Sequence, residues 1–292
     1  MSLPRRRPSE EGMILVNVLL FVAIASGIVM LMISAEDIAL QRAQRMRDAA
    51  RAQAIAHGGE ASAIVALRRD ALLASESDHG AEPWAAIAER NRPIEGGSFD
   101  LVITDAQSRF NVNILMKGNA ADVELLGRIA TVLDLPQELA WRATELVRLK
   151  GPIADLHPLR FAGLDPWAHA RLTALITALP YDTPVNVNSA SEELLAVMLG
   201  NPDAARDLVA RRRRQGSLTI DDFAAVHAPL PRSAGFTSNL FWVRTRVRIG
   251  DSNQQLTSLI ARRRDEAGRM IVAPIARWRG TELPDQAPPL PL

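Results

Sequence analysis

The sequence predicts an α+β protein: a long transmembrane N-terminal helix packed on a small antiparallel sheet, with an inserted all-α domain. Three observations support this fold class. Residues 13–33 form a charge-free apolar run. Segments in which polar and apolar residues alternate lie on both sides of a block rich in helix-capping patterns. Of the 292 residues, 48% are hydrophobic but only 4% are aromatic, and the abundant Ala and Leu favour helix.

The composition excludes several classes of protein. The net charge is +1, so a polyanionic partner is not required by overall charge. The chain has no cysteine, which excludes disulfides, thiolate metal sites and cysteine nucleophiles. The sequence lacks the G-x-S-x-G, P-loop and H-E-x-x-H motifs, and its five histidines have no metal-ligand spacing. We therefore expect no enzymatic activity and no cofactor.

The apolar run at residues 13–33 is long enough to cross a bilayer at about 1.5 Å per residue. It is too long for the usual core of a cleaved secretory signal, and Ile33 stands where such a site needs a small residue. A retained anchor is therefore predicted. Arg5–Arg7 lie closer to the run than the arginines that follow it, which favours a cytoplasmic N-terminus.

The helix is predicted to continue beyond the membrane, over residues 13–70. No proline occurs between Ser34 and Arg69, and Gly58 and Gly59 are the glycines of this stretch. Apolar or small residues recur at helical spacing. They are Ile38, Ala39, Ala43, Met46, Ala49, Ala50, Ala54 and Ile55.

Residues 71–115 and 235–279 are predicted to form the sheet. Residues 99–104 alternate as one strand, Asp105–Ser108 forms a turn, and Arg109–Leu115 returns as a second strand of a hairpin. Residues 240–249 alternate again, and strands at 255–261 and 269–273 follow. One face of residues 240–249 carries Arg244, Arg246 and Arg248, which we interpret either as a solvated face or as contacts for an acidic partner.

The block at residues 116–234 is predicted to be the inserted helical domain, similar to SAM or helix-hairpin-helix modules. Its helices are marked by caps: Asn119 with Asp122, Ser189 with Glu192 as a capping box for 189–199, Pro202 ahead of 203–214, and Thr219 with Asp222. Four arginines, Arg211–Arg214, end one helix. The turn before it has a single glycine, Gly200, and an aspartate where phosphate would approach, so we expect a solvated helix end and no nucleic-acid partner.

A short repeat links the two halves of the chain. Arg109–Asn113 reads RFNVN, and Pro184–Asn188 reads PVNVN. Asparagine can bond nearby backbone groups where a strand passes into a helix. Asn111, Asn113, Asn186 and Asn188 are therefore predicted to be structural caps, together with Ser189 and Glu192.

The N-terminus resembles the type IV prepilin class. Arg5–Arg7, then Gly12, then Met13 and an apolar helix match the pattern. The resemblance implies a leader at residues 1–12, cleavage by prepilin peptidase between Gly12 and Met13, and methylation of Met13. Most members carry a glutamate where this chain has Asn17. A carboxylate in lipid is costly unless it is paired. With Asn17 in place of the glutamate, this subunit has no carboxylate at that position to form such a pair.

The longer pattern, D-x-x-x-R-F-N-V-N and then L-P-x-x-x-P-V-N-V-N-S-A-S-x-x-L, resembles the general secretion pathway protein K family from Arg5 to about Ile275. The resemblance implies a pseudopilin fold and a minor pseudopilin of type II secretion that initiates or caps the pseudopilus tip. It implies the minor pseudopilins I and J as partners and, through them, H and the major pseudopilin G. It also implies an inner-membrane anchor with a periplasmic body.

Members of that family often carry a calcium-binding acidic loop after a tryptophan. Here Trp141–Glu145 lacks the aspartates, and a G-A-E-D segment is missing. Asp155, Asp165 and Asp182 are too dispersed to predict an oxygen cage. We therefore expect no tight calcium site.

Two alternatives remain open from the sequence. One is a membrane-anchored DNA-uptake protein that uses the helix-hairpin-helix-like segment, and the other is a general membrane-anchored periplasmic adaptor. The Pro-rich segment at residues 280–292 is predicted to be a disordered tail from its composition.

Overall fold

The computed structural model describes residues 10–73, 76–162 and 164–290. Its elements, in chain order, are α1 (Glu10–Leu73), β1 (Ala88–Ile94), β2 (Gly97–Asp105), β3 (Phe110–Asn111), α2 (Ala120–Val132), α3 (Glu138–Lys150), α4 (Pro166–Leu175), β4 (Ile176–Thr177), β5 (Val185–Asn186), α5 (Glu192–Leu199), α6 (Pro202–Gln215), α7 (Ile220–Ala225), β6 (Ala234–Gly235), β7 (Leu240–Ile249), β8 (Ser252–Arg264) and β9 (Met270–Arg279). Short 3-10 turns lie at Ala106–Ser108, Val112–Lys117 and His157–Ala162. Of the predicted leader, Arg5–Arg7 lie outside the described residues.

Helix α1 is a single 64-residue helix, about 96 Å long. Residues 13–47 of it are exposed, and the body of the protein packs on the remainder. The packed face consists of small and apolar residues at intervals of four or seven, which keep to one side of the helix: Ala52, Ala56, Ala63, Leu67 and Ala71. Small residues on this face let the helix lie close to the sheet.

The sheet has five antiparallel strands in the order β1-β2-β7-β8-β9. Its inner face joins α1 in one core through residues such as Leu101, Ile103, Phe241 and Ile260. Strands β2 and β7 are neighbours in the sheet, and Asp105 pairs with Phe241 where the two strands meet the helical part. All elements from β3 to β6 are therefore inserted into one connection between adjacent strands.

The predicted hairpin of residues 99–115 is wrong. Strand β2 turns back on β1, through Glu95 and Gly96, and Gly96 has a φ of +80° that suits glycine. The segment after Asp105 instead forms 3-10 turns around a two-residue strand, Phe110–Asn111, which pairs in parallel with β4. Strand β1 was missed because its sequence, AERNRPI, belongs to a polar edge strand without alternation.

The helical part consists of two consecutive units of similar construction. The first begins with β3, contains α2 to α4, and closes with the parallel strand β4. The second begins with β5, contains α5 to α7, and closes with the parallel strand β6. One core joins the two units and starts at Phe110, so the helical part begins before the predicted boundary at residue 116.

The predicted capping box of Ser189 and Glu192 is also wrong. Helix α5 begins at Glu192, and the hydroxyl of Ser191 accepts a hydrogen bond from the Leu194 N–H at 3.1 Å. Ser189 lies in the preceding turn, where its N–H donates to the Asn186 carbonyl at 3.1 Å. The other predicted starts agree with the structure: Pro202 opens α6, and the Thr219 N–H donates to Asp222.

The segment at residues 280–290 is packed on the body, contrary to the predicted disordered tail; residues 291 and 292 lie outside the described part. Gln286 is 1% exposed, and its amide donates to the Ala154 and Ala178 carbonyls. Asp285 lies 2.7 Å from Nε2 of His169 in α4. Composition did not predict this packing, because the contacts of the segment are hydrogen bonds to groups far away in the sequence.

Candidate functional site: an apolar membrane helix and a polar domain junction

The N-terminal third of α1 is the largest apolar surface of the described residues. Residues 13–33 are exposed throughout, and mean hydropathy reaches 2.7 over the most apolar window. Exposed apolar surface of this size is not tolerated in water. At about 31 Å, these 21 residues match the hydrocarbon thickness of a bilayer. The helix is thus compatible with a single-pass membrane anchor, and Asn17 lies within it.

The predicted cleavage position, Gly12–Met13, lies in the first turns of α1. Beyond the apolar run, residues 34–47 form an exposed stalk before α1 first meets the body. The body reaches α1 nearest the membrane through two turns of the sheet. Arg51 pairs with Glu95 of the β1–β2 turn at 2.6 Å, and Asp48 lies beside Gly250 of the β7–β8 turn.

Asn111 and Asn113 organise the start of the first helical unit. The Asn111 side-chain oxygen accepts from the Asn113 N–H at 3.2 Å and from the Leu179 N–H at 3.0 Å. Its amide donates to the Tyr181 carbonyl at 2.6 Å. The Asn113 side chain bonds both backbone groups of Ile153, at 2.9 and 3.0 Å. These asparagines close the loops of the unit onto its first strand.

Asn186 and Asn188 repeat this arrangement in the second unit. The Asn186 oxygen accepts from the Asn188 N–H at 3.0 Å, and the Asn188 oxygen accepts from the Leu218 N–H at 2.7 Å. The Asn186 amide also reaches Asp105 Oδ2 at 2.8 Å and Ser238 Oγ at 3.0 Å. All four asparagines of the two repeats thus bond backbone groups of the fold. Their partners 30 to 81 residues away in sequence have no local sequence pattern.

A buried charged cluster joins α1, the sheet and the second helical unit. Arg262 in β8 pairs with Asp70 of α1 at 2.9 Å and with Asp78. Its guanidinium also donates to the Ser238 carbonyl at 2.7 Å and lies 4.9 Å from the Phe241 ring centroid. Burial and the nearby Glu82 carboxylate raise the pKa of Asp70 to about 6. Burial likewise raises the pKa of Asp105.

The three arginines predicted on one face of β7 do not share one environment. Arg244 is 6% exposed and donates to Thr257 Oγ1 and to the Pro288 carbonyl, so it is not available to a partner. Arg246 pairs with Asp100 at 2.8 Å. Arg248 is exposed and bonds Ser98 and Asn91. Of the candidate partner contacts, Arg248 is the one with an exposed guanidinium.

Asp100 illustrates how this face is neutralised. Burial alone would raise the pKa of its carboxyl group, but hydrogen bonds from Arg246 and the Asn91 N–H hold that pKa below its usual value. The Arg246 charge is thereby matched inside the chain. Charge reversal at Arg246 would disturb folding as well as any contact with a partner.

The arginine run at the end of α6 is also partly consumed by the fold. Arg212 donates to the Val187 and Ala190 carbonyls at 2.7 and 2.8 Å, and Arg211 lies 3.6 Å from Asp222. At the start of α6, the Asn201 side chain accepts from the N–H groups of Asp203 and Ala204, both at 3.1 Å. Those are the N–H groups that a helix-hairpin-helix would offer to phosphate. The geometry disfavours nucleic-acid binding here.

The aspartates considered for calcium are used separately. Asp155 accepts from the His157 N–H, Asp165 caps α4, and Asp182 pairs with Lys117. Within the described ranges, the group of carboxylates close enough to share an ion is Asp70, Asp78 and Glu82, and the Arg262 guanidinium binds two of them. These residues do not fit a calcium cage, and the expected absence of a tight site remains a prediction for calorimetry.

Comparisons with known proteins agree with this architecture. A family described as type II secretion system (T2SS), protein K matches residues 185–240, from β5 into β7. The chain is 27% identical to type II secretion system protein K of Pseudomonas aeruginosa, across 91% of this chain and 92% of that protein.

The fold is similar to that of a chain in the crystal structure of the GspK-GspI-GspJ complex from the enterotoxigenic Escherichia coli type 2 secretion system. The TM-score is 0.69 at 21% identity, with 82% of this chain and 100% of that chain covered. This likeness concerns the fold, and it confirms the predicted α+β class.

Proposed function

We propose that the chain is a member of the type II secretion system protein K family and that, as a minor pseudopilin, it initiates or caps the tip of the pseudopilus. The observation that carries the proposal is the shape of α1. An exposed apolar helix continues without a break into a helix buried against a sheet. Such a helix can lie in a membrane and later pack among helices of other subunits.

Two features support a terminal position in the filament. Asn17 stands where most prepilin-class subunits have glutamate, so this chain cannot offer that carboxylate to a neighbouring N-terminal amine. The helical insert between Asp105 and Leu240 also adds large bulk at one end of the sheet. Bulk at that end would obstruct a further subunit above it.

We infer the minor pseudopilins I and J as direct partners, because the solved chain of similar fold assembles with GspI and GspJ. Contacts with H and the major pseudopilin G would follow through them. The anchor would lie in the inner membrane with a cytoplasmic N-terminus and a periplasmic body. The chain would act by packing, without catalysis, cofactor or nucleic acid.

Processing of the N-terminus is the first experiment. The chain is co-expressed with prepilin peptidase, and its N-terminal mass is measured. We expect cleavage between Gly12 and Met13 and one added methyl group, and a Gly12→Leu variant should stay intact. An intact N-terminus in the parent chain would contradict the proposal and favour a general membrane-anchored adaptor.

Tip assembly is the second experiment, and the structure provides a clean deletion. Because Asp105 and Phe241 pair in adjacent strands, a short Gly-Ser turn can replace residues 106–239 and leave a hairpin. We expect this variant to enter the membrane and be processed but to lose capping of the I–J complex. Normal pseudopilus length and secretion with the deletion would contradict the capping role.

A further inference from the structure

We propose that the cavity at the junction of the sheet, the helical units and the C-terminal segment is a binding site for an acidic peptide, which Arg109 holds by a carboxylate. The inference goes beyond the proposed assembly role and does not depend on it. It rests on the cavity, on an arginine without an acidic partner, and on buried polar atoms without hydrogen bonds.

The cavity has a volume of about 490 Å³, large enough for a few residues of an extended peptide. Three parts of the molecule line it. The sheet contributes Thr104 and Trp242, the first helical unit contributes Arg109 and Thr177, and the C-terminal segment contributes Gln286. The site therefore exists only when the helical units and the C-terminal segment are packed on the sheet.

Arg109 is the cation of the site. Its Nη1 donates to the Gln286 carbonyl at 2.9 Å, and no carboxylate of the described residues forms an ion pair with it. Burial lowers the pKa of its guanidinium, and no acidic group opposes that effect. Buried charges are normally paired, and a guanidinium presents a fork of N–H donors that fits a carboxylate. The missing partner is therefore an anion of this geometry.

Asp105 also lines the cavity, but its carboxylate is already engaged. It accepts from the Gln107 N–H at 2.8 Å, from the Asn186 amide at 2.8 Å and from Ser238 Oγ. Its lone pairs face this network, and it forms no ion pair with Arg109 in the described residues. Asp105 therefore forms part of the cavity wall without neutralising the charge of Arg109.

The buried atoms without partners specify the rest of the ligand. Thr177 and Gln286 are each 1% exposed. Among the residues that the structure describes, Thr177 Oγ1, Gln286 Oε1 and Thr104 Oγ1 find no hydrogen-bond partner. A lone carboxylate cannot satisfy Gln286 Oε1, because that oxygen needs a donor. A ligand with a carboxylate and a nearby N–H satisfies both groups. An aspartate within a peptide has this chemistry.

The test uses the full-length chain in detergent micelles, labelled with fluorotryptophan. Trp84 and Trp242 line the cavity, so their resonances report on occupancy, and Trp→Phe variants assign them. The probes are acetyl-Ala-Asp-Ala-amide, the matching Asn peptide, and succinate. We expect saturable shifts of both resonances with the Asp peptide at about 10 mM. The other two probes should bind at least about tenfold more weakly.

Variants identify the contact. Arg109→Gln should weaken binding of the Asp peptide at least about tenfold. Arg109→Lys keeps the charge and should bind the peptide with an affinity between those of the parent chain and Arg109→Gln. Thr177→Val should weaken binding several-fold. The control Arg248→Gln removes an exposed arginine elsewhere and should leave binding unchanged. Equal shifts with the Asp and Asn peptides, no saturable shift at all, or succinate binding as tightly as the peptide would overturn the proposal.

Discussion

Among individual residues, the buried asparagine Asn186 connects several parts of the junction through its hydrogen bonds. The Asn186 side-chain NH2 donates to Asp105 and Ser238, and its side-chain oxygen accepts from the Asn188 N–H. These residues are buried, so their polar groups cannot bond water instead. An amide suits the position because it donates and accepts at once, which neither aspartate nor leucine does.

We expect Asn186→Ala to lower the free energy of unfolding by roughly 3 kcal/mol, since it leaves several buried polar groups unpaired. The measurement is the urea midpoint of the solubilised protein. Asn201→Ala is the matched control, because that asparagine caps an exposed helix end, and its loss should cost about 1 kcal/mol. Equal effects of the two substitutions would mean that the Asn186 network contributes little.

Asp70 makes stability depend on pH. Its pKa is about 6 in the folded protein against an ordinary value of 3.8, so between those values the folded state binds the proton more strongly. The stabilisation is fully present below about pH 4 and is lost as pH rises through 6. We expect Asp70→Asn to reduce the difference in urea midpoint between pH 5 and pH 7. An unchanged difference in the variant would contradict this origin.

At the scale of the element, Gly59 sets how closely α1 approaches the sheet. A Cβ at Gly59 would lie 2.8 Å from the Phe99 ring, whereas a Cβ at Gly58 meets nothing within 4 Å. Both glycines are in the same helical turn and differ only in the face they occupy. The pair therefore separates helix propensity from packing.

We expect Gly59→Val to destabilise the protein by about 1–3 kcal/mol, because the added methyl groups force the helix from the sheet. Gly58→Ala should instead stabilise it by up to about 1 kcal/mol, through helix propensity. Thermal unfolding of both variants gives the comparison. Stabilisation by both substitutions would show that the sheet can shift to accommodate a side chain at position 59.

Elements differed in how well the sequence predicted them. Helix α1 and strands β7 to β9 could be predicted because periodicity alone marks them. Strand β1 has polar residues on both faces, and its pairing with β2 depends on the Gly96 turn, not on a hydrophobic pattern. Ser189 and Ser191 both suit a helix start, and the choice was decided by the Asn186 carbonyl, which binds Ser189 N–H.

In the polar sites, only the contacts between residues close in sequence could be predicted. The Asn-Val-Asn repeats were recognised because the first asparagine of each one accepts a hydrogen bond from the N–H two positions on. Arg262, Asp78 and Ser238 were not, because their contacts span up to 192 residues of sequence. Arg109 belongs to the same class, since its hydrogen bond to the Gln286 carbonyl spans 177 residues of sequence.

In the molecule as a whole, the C-terminal segment links the first helical unit to the sheet. Asp285 reaches α4, Gln286 reaches the first helical unit, and the Pro288 carbonyl accepts from Arg244 in β7. Arg244 and His169 are nearly inaccessible to water. The segment is thus part of the junction and not an appendage.

We expect removal of residues 284–292 to lower the free energy of unfolding by about 3 kcal/mol, because a buried arginine and a buried histidine lose their acceptors. Removal of residues 289–292 keeps the Pro288 carbonyl and should have a much smaller effect. Urea unfolding followed by tryptophan fluorescence measures both. Two equal, small effects would show that the packed segment contributes little to stability.

The exposed stalk at residues 34–47 also has an electrostatic consequence. In a bilayer that the helix crosses along the normal, fourteen residues of helix place the lowest turns of the body about 20 Å above the hydrocarbon core, or about 15 Å above the headgroups. The Debye length at physiological ionic strength is about 8 Å. The arginines of the body therefore lie outside the surface potential of anionic lipids. Lipid charge is therefore not what orients the body relative to the membrane.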